Sequence, residues 1–280
     1  MRNTFYFHQR KTDRILMSVI DRALTFLDNA EMIVMQDDLL SPTEYGSLVS
    51  QLYIDPLSAD LIVERLTGTE EYADIGLLQV LCTTPDMFTL YVANRDRHYL
   101  ERFVLEHEHE LWMDLPYSDD EGFFRGLKTA MVLSDWCQEV PDATICERYG
   151  IGPGDIYAMV ESMNWLLHAT GRLARMFKPR FAPAVLEFEL CMKHGIRREL
   201  IPLIRIRNIG RVRARRLFNN GFMSPAMILA AGEERIVPIL GHSIASQVIR
   251  DLRGAENHEI PLREPGSQAN LFQFGENREK

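Results

Sequence analysis

Residues 152–177 read GPGDIYAMVESMNWLLHATGRLARMF, and this stretch decides the fold at the centre of the chain. Its apolar residues recur every three or four positions, and Pro153 suits the first turn of a helix. The pattern therefore predicts one long helix that ends near Phe177. Taking about 100° per residue from Met163, we expect these side chains to lie within about 60° of it and to be buried: Ile156, Met159, Val160, Leu166, Leu167, Thr170, Ala174 and Phe177.

The opposite face of this helix carries three side chains that suit nucleic acid. Trp165 falls at about 200°, Arg172 at about 180° and His168 at about 140° from Met163. A tryptophan opposite the buried stripe either packs on a neighbouring domain or meets a ligand. Arg172 and His168 beside it favour a base-stacking platform for single-stranded nucleic acid, worth ~1–3 kcal/mol per stacked base. Packing against a neighbouring domain fits the helix geometry nearly as well.

A short pattern occurs twice towards the C-terminal end. Ile209-Gly210, Ala214 and Leu217 recur at the same spacing as Leu240-Gly241, Ala245 and Val248. A glycine, a small residue one turn later and then an apolar residue are typical of a helix-hairpin-helix, in which backbone amides approach a phosphate. The repeat therefore predicts a C-terminal double helix-hairpin-helix.

Positive charge is concentrated on the first of these hairpins. The chain carries a net charge of −9, but residues 197–216 hold eight arginines and one acid, a charge of +7 that leaves −16 for the remainder. A basic patch on an acidic body indicates a confined phosphate contact. The second hairpin has only His242 beside its glycine, so we interpret it as mostly structural. The predicted DNA-binding residues of the first hairpin are Arg207, Ile209, Gly210, Arg211, Arg213, Arg215 and Arg216. The alternative is a solvated surface paired with the acidic residues 101–121.

The N-terminal residues predict a small winged-helix unit. A helical period runs through 12–30, and brief strands are expected at 31–36 or near the start. Ser41-Pro42-Thr43-Glu44 reads as a capping box that begins a helix through Tyr53, and Asp55-Pro56 begins another. Residues 68–73 are expected to form a linker, and Thr84-Pro85-Asp86 to begin a further helix. The predicted fold is therefore mostly α.

Several classes of site are not indicated. The sequence contains neither a GxxxxGK[ST] phosphate loop nor a DExH box, and its four cysteines form no CxxC pair. The two histidines of HEHE at 107–110 are two residues apart, so a solvated face is favoured over a metal site. We therefore predict no catalytic residue, metal or cofactor in this chain. Without an apolar membrane span or a signal-peptide pattern, we expect a cytoplasmic protein.

The tail from Gly254 is polar and is predicted to be disordered. Within it, Gln268, Leu271 and Phe274 follow the spacing of a sliding-clamp-binding peptide, although the usual second aromatic residue is replaced by Gly275. The sequence therefore suggests a sliding clamp as a partner.

Four segments resemble archaeal HelQ-type DNA helicases, the Ski-like group of superfamily two. IRNIGRVRARRLFNNGF (206–222) is similar to the family's C-terminal helix-hairpin-helix, and IGPGDIYAMVESMNWL (151–166) to its ratchet helix. LKTAMVLSDWCQE (127–139) and TEYGSLVSQLYIDPLSA (43–59) resemble its helical-domain and winged-helix segments. The resemblance runs in order through nearly all of residues 4–253.

The resemblance implies a winged helix at 1–68, a helical ratchet domain at 69–183, a helix-hairpin-helix domain at 184–253 and a tail at 254–280. The family's enzyme is an ATP-dependent 3′-to-5′ DNA helicase that acts at stalled or branched forks. By resemblance, Trp165 stacks on the translocating single strand, and the arginines at 211–216 grip the emerging DNA. ATP and Mg²⁺ belong to motor domains that this chain does not show.

The chain departs from the family at one ratchet position. Ala158 stands where the family has an arginine, seven residues before the tryptophan, and Arg172, seven residues after it, lies on the same face. We therefore expect a DNA-binding portion of a helicase, with single-stranded and forked DNA and a motor subunit as partners. Two alternatives are a freestanding adaptor that binds DNA and a sliding clamp, and a relative of the RNA helicases.

Overall fold

The computed structural model describes residues 13–36, 39–114, 116 and 120–256, and it confirms the prediction of a mostly helical fold. The chain divides into two compact units, Met1–Ile201 and Pro202–Lys280. The finer division into winged-helix, ratchet and hairpin domains stays a prediction. No helix among the described residues is both long and apolar enough to cross a membrane.

The described part of the first unit begins with a helix, two paired β-strands and two further helices. They are α1 (Asp13–Asn29), β1 (Ile33–Gln36), β2 (Leu39–Pro42), α2 (Glu44–Leu52) and α3 (Pro56–Gly68). The two strands pair antiparallel, with Ile33 opposite Pro42. The strand at 33–36 was expected, whereas its partner strand was not.

The predicted capping box at the start of α2 is wrong. Ser41 lies in β2 opposite Val34, so strand pairing takes the backbone that would have capped the helix. Thr43 is the N-cap instead. Its hydroxyl accepts a hydrogen bond from the Gly46 amide at 3.0 Å and donates one to the Glu31 carbonyl at 2.7 Å.

The helix predicted to begin at Thr84 does not form. The hydroxyl of Thr84 donates back to the Leu81 carbonyl at 2.7 Å, and the Asp86 carboxylate accepts from the Asp55 amide at 2.8 Å. Asp55 itself caps α3 as predicted, since its carboxylate accepts from the Leu57 amide at 2.8 Å. The would-be capping residues at 84–86 therefore close a turn and join it to the start of α3.

The remainder of the first unit is built from helices. They are α4 (Asp74–Leu81), α5 (Asn94–Glu106), α6 (Glu121–Cys137), α7 (Asp142–Tyr149), α8 (Pro153–Phe177) and α9 (Ala182–His194). The long helix α8 has the predicted bounds, and α9 packs along it, while α4 packs on α6. The HEHE stretch lies in a turn after α5, and the residues that the structure describes contain no metal-binding cluster.

The second unit is organised around two helix pairs. Its helices within the described residues are α10 (Ile201–Ile204, beginning at the boundary between the units), α11 (Arg211–Asn219), α12 (Pro225–Ala231), α13 (Glu233–Leu240) and α14 (His242–Glu256). Within this unit α13 packs on α14, and α11 packs on α13. The small and apolar residues of the sequence repeat, Ala214, Leu217, Ala245 and Val248, are all fully buried. The repeat therefore supplies the core of this unit.

Candidate nucleic-acid interface

The buried and exposed faces of α8 lie where the helical period places them. Of the nine residues on the predicted stripe, eight are buried and Phe177 is half-buried. Trp165 keeps 38% of its surface exposed, and Arg172 and Ala158 are exposed as well. The exposed face of α8 thus presents an aromatic ring and a cation to solvent.

Trp165 also contacts the N-terminal part of the same unit. Its indole N–H donates to the carbonyl of Leu52, at the end of α2, over 3.2 Å. This bond fixes one edge of the indole, while more than a third of the side chain stays accessible. The indole of Trp165 is thus partly packed against another part of the chain and partly accessible to a ligand.

His168 pairs with the neighbouring helix. Its Nδ1 lies 3.4 Å from the Glu189 carboxylate on α9, and its side chain is 40% exposed. A histidine engaged in this way helps to position α8 against α9. Its availability to a ligand is lower than that of Trp165 or Arg172.

A groove lies between α2 and the last turns of α8. It has a volume of about 430 Å³ and includes the side chains of Arg172 and Arg175. Within the described part of the chain, neither of these arginines forms an ion pair. The polar wall from α2 consists of Glu44, Ser47 and Gln51. Arg175 was not predicted as a binding residue, although its spacing of three residues from Arg172 places the two side chains on neighbouring positions of the helix surface.

In the second unit, Gly210 is the N-cap of α11. Its φ of −99° is open to any residue, and a Cβ built on it would meet nothing within 4 Å. Its neighbour Ile209 is buried and donates its amide to the Ile206 carbonyl at 3.1 Å. Ile209 therefore anchors the hairpin, while Gly210 lies at the surface with open space around it.

The arginines of this hairpin surround the N-terminus of α11. Arg205, Arg207, Arg213 and Arg216 are exposed, and Arg211 and Arg215 are half-buried. Arg213 donates to the Asn208 carbonyl at 2.8 Å, and the Arg215 guanidinium lies 5.1 Å from the centre of the Phe218 ring. The first amides of a helix have no acceptor within it, and its dipole favours anions there. Amides, dipole and cations therefore all attract negative charge to the same place.

The second hairpin differs in both its glycine and its charge. Gly241 has a φ of +80°, a conformation that strongly favours glycine. The Glu233 carboxylate accepts a hydrogen bond from the Ser246 hydroxyl and lies 3.6 Å from Nδ1 of His242. A carboxylate thus already occupies the surroundings of the first turn of α14, where it disfavours a second anion.

Two arginines of the basic stretch, Arg197 and Arg198, belong to the first unit. Arg198 is 2.6 Å from the Asp74 carboxylate, and the Arg197 amide donates to Glu139 at 3.1 Å. The positive charge available to a ligand in the second unit is therefore that of residues 205–216.

Local partners also account for two of the acids in the stretch 101–121. Glu106 pairs with Arg102 at 3.6 Å, and Glu121 pairs with Arg125 at 3.9 Å. Each pair joins two residues one turn apart on the same helix, the first on α5 and the second on α6. The clamp-like residues Gln268, Leu271 and Phe274 lie outside the described residues.

Comparisons with known proteins identify related chains. Residues 75–195 match a family described as archaeal helicase, domain 4. Over 98% of its length the chain is 35% identical to an ATP-dependent DNA helicase Hel308 of Methanocella arvoryzae and 33% identical to one of Pyrococcus abyssi. Over 97% of its length it is 35% identical to the Hel308 of Thermococcus kodakarensis.

These relatives are much longer than the chain. It spans 39% of the length of the first two and 25% of the third. Nearly the whole of this chain is therefore similar to one part of archaeal Hel308-type helicases, and the match to archaeal helicase domain 4 lies at its centre.

Proposed function

We propose that this chain is the DNA-binding portion of an ATP-dependent 3′-to-5′ DNA helicase of the HelQ type, acting at replication forks and in DNA repair. Its relatives carry the name ATP-dependent DNA helicase. In this proposal the chain guides single-stranded DNA and holds forked DNA. ATP and Mg²⁺ bind motor domains outside this chain, on the same polypeptide or on a partner subunit.

The environment of Gly210 is the observation that carries the proposal. Neither its φ nor any neighbouring atom requires a glycine at this position. An N-cap without side chain leaves the amides of α11 open to a ligand, and the exposed arginines around it supply countercharge. A helix N-terminus of this kind binds a phosphate of the DNA backbone and reads little sequence.

The exposed face of α8 supports the single-strand part of the proposal. Trp165 offers a ring for base stacking, and the groove beside it holds the unpaired cations Arg172 and Arg175. Stacking aromatic rings and a cationic track for phosphates are the two elements of sequence-independent single-strand binding. Arg172 takes the place of the arginine that the resemblance expects at Ala158.

The test is a titration of labelled forked DNA across a salt series, with ATP hydrolysis assayed alongside. The double variant Arg207→Ala with Arg216→Ala removes two exposed cations of the first hairpin. If each neutralises one phosphate, the slope of log K against log salt becomes shallower by about 1.4–1.8, because each phosphate contact contributes ~0.7 to 0.9.

The matched control changes the same net charge on the other helix pair. It is Arg235→Ala with Arg250→Ala, from α13 and α14. The proposal predicts a salt slope close to that of the unmodified chain for this control. Equal slopes for both double variants and the unmodified chain would contradict it, as would affinity that does not depend on salt.

A further inference from the structure

Tyr53 is an exposed aromatic residue in an unusual backbone conformation. It follows the last residue of α2, its φ is +58°, and the residue is 78% exposed. The left-handed region is where a helix commonly ends, but glycine or asparagine usually occupies it. A tyrosine there carries a conformational cost, while most of its surface stays exposed.

The position of Tyr53 is tied to that of Trp165. The carbonyl of Leu52 accepts the indole N–H of Trp165, and this carbonyl belongs to the peptide group that links Leu52 to Tyr53. The indole of Trp165 therefore lies against the peptide group next to Tyr53, although the two residues are more than a hundred positions apart in the chain. Within the described residues, neither ring stacks on another aromatic ring.

The cationic groove continues from this point. Gln51 and Ser47, two and six residues before Tyr53, line it together with Arg172 and Arg175, and Glu44 lies at the start of the same helix. Trp165 precedes Arg172 on α8 by seven residues, about 10 Å along the helix axis. Aromatic rings near one end of the groove, with the two arginines Arg172 and Arg175 further along it, suit a base followed by its phosphates.

We propose that Tyr53 is a second stacking residue, which with Trp165 holds a base of single-stranded DNA whose phosphates follow the groove to Arg172 and Arg175. The inference rests on the proposed function, because it adds a residue from α2 to the single-strand site on α8. It also explains why a tyrosine stands at a position whose backbone favours glycine.

The experiment compares three single variants of the full chain by fluorescence anisotropy with labelled oligothymidine. Tyr53→Gly removes the ring and relieves the backbone, so its melting temperature is expected to rise by roughly 2–4 °C while the affinity falls by roughly 5- to 150-fold. Tyr53→Phe keeps the ring, and its affinity should stay within about twofold of the unmodified chain. Trp165→Ala tests the underlying site and should lose affinity to a similar degree.

The outcomes separate the two claims. Higher stability together with weaker binding in Tyr53→Gly, and retained binding in Tyr53→Phe, support the paired site. Normal binding by Tyr53→Gly alongside weakened binding by Trp165→Ala overturns the role of Tyr53 and leaves the proposed function standing. Normal binding by both overturns the single-strand site on α8 and the inference with it.

Discussion

At the residue scale, two glycines at the same position of a repeat have different backbone environments. Gly241 has a φ of +80° and a ψ of 156°, a region open essentially to glycine alone. Gly210 has a φ of −99° and open space around it, so the fold itself accepts other residues there. The role proposed for Gly210 is therefore to leave the amides of α11 open to a phosphate.

We expect Gly210→Ser to leave the folded state intact and to weaken DNA binding. Serine is a favoured N-cap, so stability should be equal or higher, but its hydroxyl occupies the amides that would hold a phosphate. The matched change Gly241→Ser should cost roughly 1–3 kcal/mol of unfolding free energy and leave DNA affinity unchanged below its melting temperature. Denaturant unfolding and fork binding of both variants provide the measurements. Undiminished binding by Gly210→Ser would remove the phosphate contact from this hairpin.

At the element scale, a buried ion pair joins α5 to α6. Lys128 and Asp96 are each 6% exposed, with the ammonium 2.7 Å from the carboxylate and 3.0 Å from the Tyr91 carbonyl. Beside them, Leu100, Val104, Phe123, Phe124 and Leu127 form the apolar contact between the two helices. Burial raises the pKa of Asp96, but the hydrogen bonds from Lys128 and the Ala93 amide outweigh it, so that the pKa is lowered overall.

We expect Lys128→Met to destabilise the protein by roughly 3–5 kcal/mol at neutral pH, because a buried carboxylate loses its partner. A lowered pKa stabilises the folded state above the unfolded pKa of about 3.9, and this contribution is lost as pH falls through the folded pKa. In Lys128→Met the carboxyl of Asp96 can instead protonate. The difference in unfolding free energy from the unmodified chain should therefore shrink as pH approaches about 4.

The control for this prediction is Arg148→Met. Arg148 pairs with Asp135 at 2.5 Å, but its side chain is 51% exposed, so the loss should stay below about 1 kcal/mol. Denaturant unfolding of both variants at several pH values is the measurement. A cost for Lys128→Met that does not change with pH would show that lost packing, and not the unpaired charge, accounts for it.

The elements also show which parts of the fold a single sequence can predict. The helix α8 was predicted to its end because one face is buried and the other is exposed, which gives the helical period. The helix α4 was missed because every residue from Ile75 to Leu81 is buried, so no such period exists. Gln79 is buried there through hydrogen bonds to the backbone of residues 112 and 113, which are distant in sequence.

The same limit applies to the candidate interface. The exposure of Trp165 and the glycine repeat could be predicted, since both follow from local spacing. The bond from Trp165 to Leu52, and with it the approach of Tyr53, depends on how α2 lies against α8. The local ion pairs of Glu106 and Glu121 could have been predicted from their four-residue spacing to arginine.

At the scale of the whole molecule, charge is divided unequally between the units. Most of the acids lie in the first unit, whereas the arginines at 205–216 belong to the second. An acidic body repels DNA over most of its surface, so binding is directed to the places where cations are exposed. We therefore expect DNA to contact the second unit at the N-terminus of α11 and not at the similar N-terminus of α14.

Amide hydrogen exchange with and without forked DNA shows which of the two helix N-termini the DNA contacts. The first amides of α11 and of α14 have no acceptor within their helices, so each reports on a ligand that binds there. We expect slower exchange at residues 211–213 when DNA is bound, and unchanged exchange at residues 242–244. Protection at 242–244 alone, or at neither site under conditions of saturated binding, would contradict it.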